Sequence, residues 1–197
     1  AKGANYPIGK VLDLVIGQYD TYSTMQLAQY ISTIANGGQR IQPRIVKEIR
    51  EPAINGEQLG PVYMSFPPKV LNNIGVEKQW MDRVHTGFKK VMQESGGTAY
   101  RYFSNATYSP AGKTGTAEAF YDGPLRKKGD PLMQTMNLSL VGYAPSDNPE
   151  IAMAVMVPWA YQGSVDHGAN KKIGRAVMDA YFNLKNGTEQ PTDETEE

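Results

Sequence analysis

The chain has 197 residues, enough for one or two domains, and its 40% apolar content suffices for a packed core. Twenty Lys and Arg balance 20 Asp and Glu, so bulk charge gives no case for nucleic-acid binding. The absence of cysteine excludes disulfides and thiolate metal sites, and the longest apolar run, Ile151–Tyr161, is far short of the roughly 20 residues of a membrane span.

Along the chain, Tyr22–Ala35 is predicted helical. Met25, Leu27, Ala28, Ile31, Ile34 and Ala35 make one apolar face, Thr21 or Ser23 can cap its start, and Asn36-Gly37-Gly38 stops it. Ile41–Ile49 reads as extended, with Pro43 arguing against a central strand. Glu51–Pro68 is a meandering hairpin region whose clearest turn is Asn55-Gly56. Glu77–Glu94 has the strongest helical spacing, with Trp80, Val84, Phe88 and Val91 inward and His85 at the polar edge; Ser95-Gly96-Gly97 ends it. Three short strands follow, Ser109–Ala119, Leu138–Tyr143 and Ile151–Val157. A long loop, Phe120–Met136, carries Arg126-Lys127-Lys128, and Ala144-Pro145-Ser146-Asp147-Asn148-Pro149 is a dense turn signal. Ile151–Val157 is apolar at every position, as in a strand buried on both faces, and Pro158 breaks the run. Gly168–Leu184 is a final helix with Ile173, Val177, Ala180, Tyr181 and Leu184 inward. This order predicts an α+β fold with a helix laid on an antiparallel sheet. Glu189–Glu197 holds five carboxylates and no base, so residues 186–197 are expected to form a disordered, dispensable acidic tail after a domain spanning residues 1–185.

The stretch richest in chemistry is Ala111-Gly112-Lys113-Thr114-Gly115-Thr116-Ala117-Glu118. Gly112-Lys113-Thr114 ends like a phosphate-binding loop, but that loop needs a glycine where Thr107 stands, and no strand–loop–helix context surrounds it. Taken alone, Lys-Thr-Gly also fits an ordinary edge strand.

Three blocks set the motif in context. Ile16-Gly17-Gln18, Met25-Gln26-Leu27-Ala28 and Ile34-Ala35-Asn36-Gly37-Gly38 come first; Gly96-Gly97-Thr98-Ala99 leads into the Lys-Thr-Gly strand; Val141-Gly142-Tyr143-Ala144-Pro145 follows it. In this order they resemble the C-terminal part of the transpeptidase domain of class B penicillin-binding proteins, whose third active-site motif is Lys-Thr-Gly. The resemblance implies a partial serine β-lactamase/transpeptidase-like fold: an antiparallel sheet with a C-terminal helix on it, plus part of the helical lobe. It implies a five-stranded sheet whose first two strands lie ahead of this chain, leaving an open edge at Ile151–Val157. It also implies a D,D-transpeptidase that cross-links peptidoglycan stem peptides through a serine acyl-enzyme and binds β-lactams, with no cofactor, no metal and no nucleic-acid partner. On the matching positions, Lys113 places a cation in the groove, and Thr114 and Thr116 offer hydroxyls to the substrate carboxylate. Gly115 removes a side chain where substrate lies, and the Thr116 N–H is one oxyanion donor. The whole protein is expected at the extracytoplasmic face of a bacterial membrane, anchored and working with cell-wall synthesis partners. The start, Ala1-Lys2-Gly3, has no signal-peptide core, so any anchor is expected outside this sequence.

The departures from the family pattern are specific. No Ser-x-x-Lys occurs, so the chain alone is expected to be inactive and to depend on a missing nucleophile-bearing part of its domain. Ser146-Asp147-Asn148 spells Ser-x-Asn, but it follows Lys-Thr-Gly and reads as a β-turn. A carboxypeptidase or β-lactamase of the same superfamily, and a silent penicillin-binding-like sensor, are the alternatives; the long segment ahead of Lys-Thr-Gly disfavours a compact β-lactamase. Ser164, Asp166 and His167 have the residue types of a hydrolase triad without a nucleophile elbow, and read as a loop before the last helix. Tyr121, Trp159 and Tyr161 flank candidate groove-facing loops.

Overall fold

The computed structural model describes residues 8–17, 20–52, 59–165 and 167–187. The Asn55-Gly56 turn, Asp166 and the acidic stretch from residue 188 onward lie outside the described residues.

Helix α1 (Ile8–Val15), which the sequence reading did not identify, comes first. Helix α2 (Thr24–Ala35) starts at a capping box: Gln26 N donates to Ser23 Oγ (3.2 Å), and Ser23 N donates to Gln26 Oε1 (2.8 Å). A cap of this kind stabilises a helix by about 1 kcal/mol. Gly37 (φ 77°) and Gly38 (φ 104°) then turn the chain through the left-handed region, and α2 buries Ile31, Ile34 and Ala35.

Among the described residues, the region after α2 holds four short strands in two antiparallel pairs. β1 (Gln39–Ile41) pairs with β4 (Val70–Asn73), and β2 (Glu48–Arg50) pairs with β3 (Val62–Ser65) between them. The single extended segment expected over Ile41–Ile49 is thus two strand ends separated by residues 42–47, a break that contains Pro43.

Helix α3 (Lys78–Gln93) packs Phe88 and Val91 on the core as expected, but it buries Met81 in place of Trp80 and Val84. Met81 and Met92 are buried and Phe88 is half-buried, whereas Trp80 is 53% exposed and Val84 is exposed. His85 lies on the inner side and not at a polar edge: Nε2 is 2.8 Å from Ile34 O, and the ring meets Tyr143 edge-on at 6.0 Å. A short helix α4 (Tyr100–Phe103) follows, with Phe103 buried.

The three expected strands form one antiparallel sheet, β5 (Ala111–Phe120), β6 (Gln134–Ala144) and β7 (Ile151–Tyr161), in the order β5-β6-β7. Among the described residues β7 pairs only with β6, as expected for an open edge. β7 runs past Pro158 because the register shifts there: Trp159 takes φ 50° and its N–H donates to Asn137 Oδ1 (2.8 Å). The bulge carries the proline past the ladder, so the strand resumes at Tyr161.

Helix α5 (Ala169–Asn186) covers one face of the sheet. Leu140, Met153 and Val155 meet Met178 and Phe182 there, and Ile31 and Ala35 of α2 pack on Ala111, Val141 and Tyr143 on the other face. The buried face of α5 differs from the predicted one. It is Asn170, Gly174, Met178 and Phe182, with Tyr181 partly buried; Ile173 (45%), Val177 (42%), Ala180 and Leu184 are exposed. Gly174 sets this rotation: a Cβ there would lie 2.3 Å from Leu140 Cδ2, so the helix comes closest to the sheet where it has no side chain. The helix also continues to Asn186, where the tail was expected to begin, and Gly187 caps it at φ 68°.

Candidate active site

Lys113, Thr114, Gly115 and Thr116 all lie on β5, an outer strand of the three-stranded sheet. Tyr121 N donates to Met133 O (2.8 Å), one step beyond the Phe120–Gln134 pair. Hydrogen-bonded pairs alternate along an antiparallel ladder, so the odd residues of β5 bond to β6. The N–H and C=O groups of Thr114 and Thr116 therefore point off the ladder, along the free edge. Lys113 Nζ donates to the outward carbonyl of Thr114 at 2.6 Å.

Side chains alternate across the same strand. Lys113 stands opposite Val141, on the α2 face, and Thr114 stands opposite Leu140, on the α5 face. Lys113 and Thr116 are exposed, and Thr114 is half-buried. The edge thus presents a cation, two hydroxyls and two outward N–H groups within four residues. Gly115 also has a structural cause: a Cβ there would lie 2.3 Å from Ser139 Oγ. At Gly112 a Cβ would meet Val141 O at 2.3 Å and Met92 Cε at 2.4 Å, so this glycine lets the end of α3 rest on the strand.

A residue that sequence reasoning left out of the site joins it in space. Thr98, in the loop between α3 and α4, places Oγ1 2.8 Å from Thr114 Oγ1. The block Gly96-Gly97-Thr98-Ala99 was the only hint, and it names the segment without the contact.

Other candidates are not brought to β5. Ser164 and His167 are exposed in the loop before α5. Ser146-Asp147-Asn148 is the β6–β7 turn, where Ser146 N donates to Ser109 O (2.8 Å). Tyr121, Trp159 and Tyr161 come together with Arg126 around a pocket of about 560 Å³ past the end of β5, and Trp159 Nε1 donates to Phe120 O (3.1 Å).

Two tyrosines near the sheet have displaced acidities. Burial, and secondarily the charge of Asp147, push the Tyr143 phenol up to about 12. The Tyr108 phenol is also raised, first by burial and then by its hydrogen bond to Asp179 (2.7 Å).

Comparison with known proteins identifies the family of the chain. Residues 3–179 match the family described as "Penicillin binding protein transpeptidase domain". Penicillin-binding protein 2A of Bacillus subtilis is 46% identical over 195 residues, covering 96% of this chain and 26% of that protein. Penicillin-binding protein 2B of Streptococcus pneumoniae D39 is 38% identical over 179 residues, covering 89% of this chain and 25% of that protein. The solved structure of penicillin-binding protein 2B from Streptococcus pneumoniae R6 aligns with a TM-score of 0.72 at 33% identity, over 94% of this chain and 28% of that one. The chain thus spans about a quarter of the length of the curated relatives it matches. By sequence and by fold, it belongs to the penicillin-binding protein transpeptidase domain family.

Proposed function

We propose that this chain is the C-terminal part of the transpeptidase domain of a serine D,D-transpeptidase that joins peptidoglycan stem peptides and is acylated by β-lactams. The observation that carries the reading is the free edge of β5, where Lys113, Thr114 and Thr116 stand beside the outward N–H of Thr116. A serine attack on an amide generates an oxyanion, which needs donors already aimed at it. The Thr116 N–H is one such donor; the nucleophile, the base that activates it and the second donor come from elsewhere in the longer protein. Lys113 favours the terminal carboxylate of a D-Ala-D-Ala end and assists proton transfer, and the hydroxyls of Thr114 and Thr116 hold that carboxylate. A β-lactam presents a similar carboxylate next to a strained amide, so the same groups accept it.

A relative 29% identical over 188 residues is named peptidoglycan D,D-transpeptidase MrdA in Haemophilus influenzae, which supports the reaction class. Action on wall peptides places the protein on the outer side of the cytoplasmic membrane. Among the described residues no helix is long and apolar enough to cross a membrane.

The test uses a labelled penicillin. The longer protein should form a one-to-one covalent adduct, and Lys113→Ala should slow its formation by about a hundredfold or more, as loss of a preorganised electrostatic group does. The 197-residue chain alone should form none, since it has no Ser-x-x-Lys. An adduct on a serine of this chain, or normal acylation of Lys113→Ala, would overturn the reading.

A further inference from the structure

We propose that Thr98 is a positioning residue whose hydroxyl donates to Thr114 Oγ1 and so turns the Thr114 proton toward the substrate carboxylate. This inference rests on the transpeptidase reading of the site. The two hydroxyl oxygens are 2.8 Å apart, and either can be the donor in the free protein. A bound carboxylate removes that ambiguity. Ionised, it only accepts, so Thr114 must spend its single proton on it. The Thr114 oxygen then has only lone pairs to offer Thr98, and Thr98 becomes the donor. The result is a chain of two hydroxyls ending on the carboxylate, in which each bond polarises the next. Without Thr98, the Thr114 hydroxyl rotates freely and must be ordered by the substrate itself.

The surrounding structure holds Thr98 from two sides. Gly97 lies against the end of α3 so closely that a Cβ would sit 2.4 Å from both Lys90 O and Val91 O. Ala99, fully buried, donates its N–H to Val91 O (3.1 Å). The chain after Thr98 is fastened to α5: Arg175 Nη1 donates to Tyr102 O (2.8 Å) and Asn105 Oδ1 (2.6 Å). Arg175 Nε bonds both carboxylate oxygens of Asp179 (2.8 and 2.7 Å), and Asp179 Oδ1 accepts from Tyr108. Thr98 itself is exposed and Thr114 half-buried, so the pair faces solvent where a ligand can reach it.

Acylation of the longer protein by a penicillin with a free carboxylate, and by its methyl ester, separates positioning from folding. Thr98→Val keeps the shape and removes the donor; it should slow acylation by the free acid about tenfold, the effect of one hydrogen bond. Thr98→Ser restores the donor and should recover most of the rate. With the ester, which lacks the ionised acceptor, Thr98→Val should change little. Equal slowing with acid and ester, or no rescue by Thr98→Ser, would overturn the hydroxyl chain in favour of a packing role. Lys113→Ala run alongside keeps the two ideas apart. If it acylates normally, the site reading itself fails; if it is slow while Thr98→Val is unaffected, only the role of Thr98 fails.

Discussion

Tyr143, near the end of β6 on the α2 face of the sheet, is fully buried, yet its hydroxyl meets no hydrogen-bond partner among the described residues. An unbonded buried hydroxyl costs about 1–3 kcal/mol of desolvation, which the ring's contacts with Phe88 and His85 offset. The same burial lifts its phenol to about 12, and Tyr108 is displaced in the same direction. Both folded values lie above the ordinary 10.0. Below that pH neither state has lost the proton and the contribution to stability is intact. Above it the unfolded chain ionises first, and stability falls through about pH 12 for Tyr143. Urea unfolding across this range should show a decline above about pH 10, made shallower by Tyr143→Phe. At neutral pH the same variant should be unchanged or more stable by up to about 1 kcal/mol. A loss larger than that would mean that the hydroxyl is bonded after all. In sequence Tyr143 was visible only as part of a strand and its turn, because alternation assigns a face and says nothing of a hydroxyl's partners.

Element positions were legible where periodicity and stop signals agree, as in α2, α3 and the three strands. Faces were less so. On α5 the branched residues Ile173 and Val177 looked like the core, but the sheet takes Gly174, Met178 and Phe182, because a close helix–sheet approach selects for a missing side chain and flexible ones. Thr98 escaped notice for a related reason: its partner is 16 residues away, across a loop whose path depends on where Gly97 touches α3. Lys113–Thr116 can be proposed as a site from sequence because its chemistry is contiguous. Two glycines at α3 separate propensity from close approach. Gly87 lies in the middle of α3, where an added Cβ would meet nothing within 4 Å, so Gly87→Ala should stabilise by about 0.5–1 kcal/mol through helix propensity. Gly97→Ala should do the opposite, by about 2 kcal/mol or more, since its Cβ would meet backbone carbonyls that cannot swing aside. Denaturant midpoints of the two variants decide this, and a neutral Gly97→Ala would show that the α3–α4 loop has room to move.

The molecule as a whole is a sheet between helices with two edges of different character. The β5 edge carries Lys113 and Glu118, and its outward backbone groups belong to the proposed site. The β7 edge has no such charge. The odd residues of β6 bond to β5, so its even residues bond to β7, and the pairs Leu140–Val155 and Gly142–Met153 are the bonded ones. Alternation then leaves the N–H and C=O of Ala152, Ala154 and Met156 facing outward along an apolar strand, blunted only at its far end by Pro158. A strand of this kind is a template for another one. The 197-residue chain by itself is therefore expected to associate through β7, its mass by light scattering rising with concentration above the 21.7 kDa of one chain. Ala154→Pro should suppress that association, because it removes an outward N–H and no bond of the existing ladder. A mass that stays at one chain at every concentration, or association that Ala154→Pro leaves untouched, would show that the open edge is not what brings chains together.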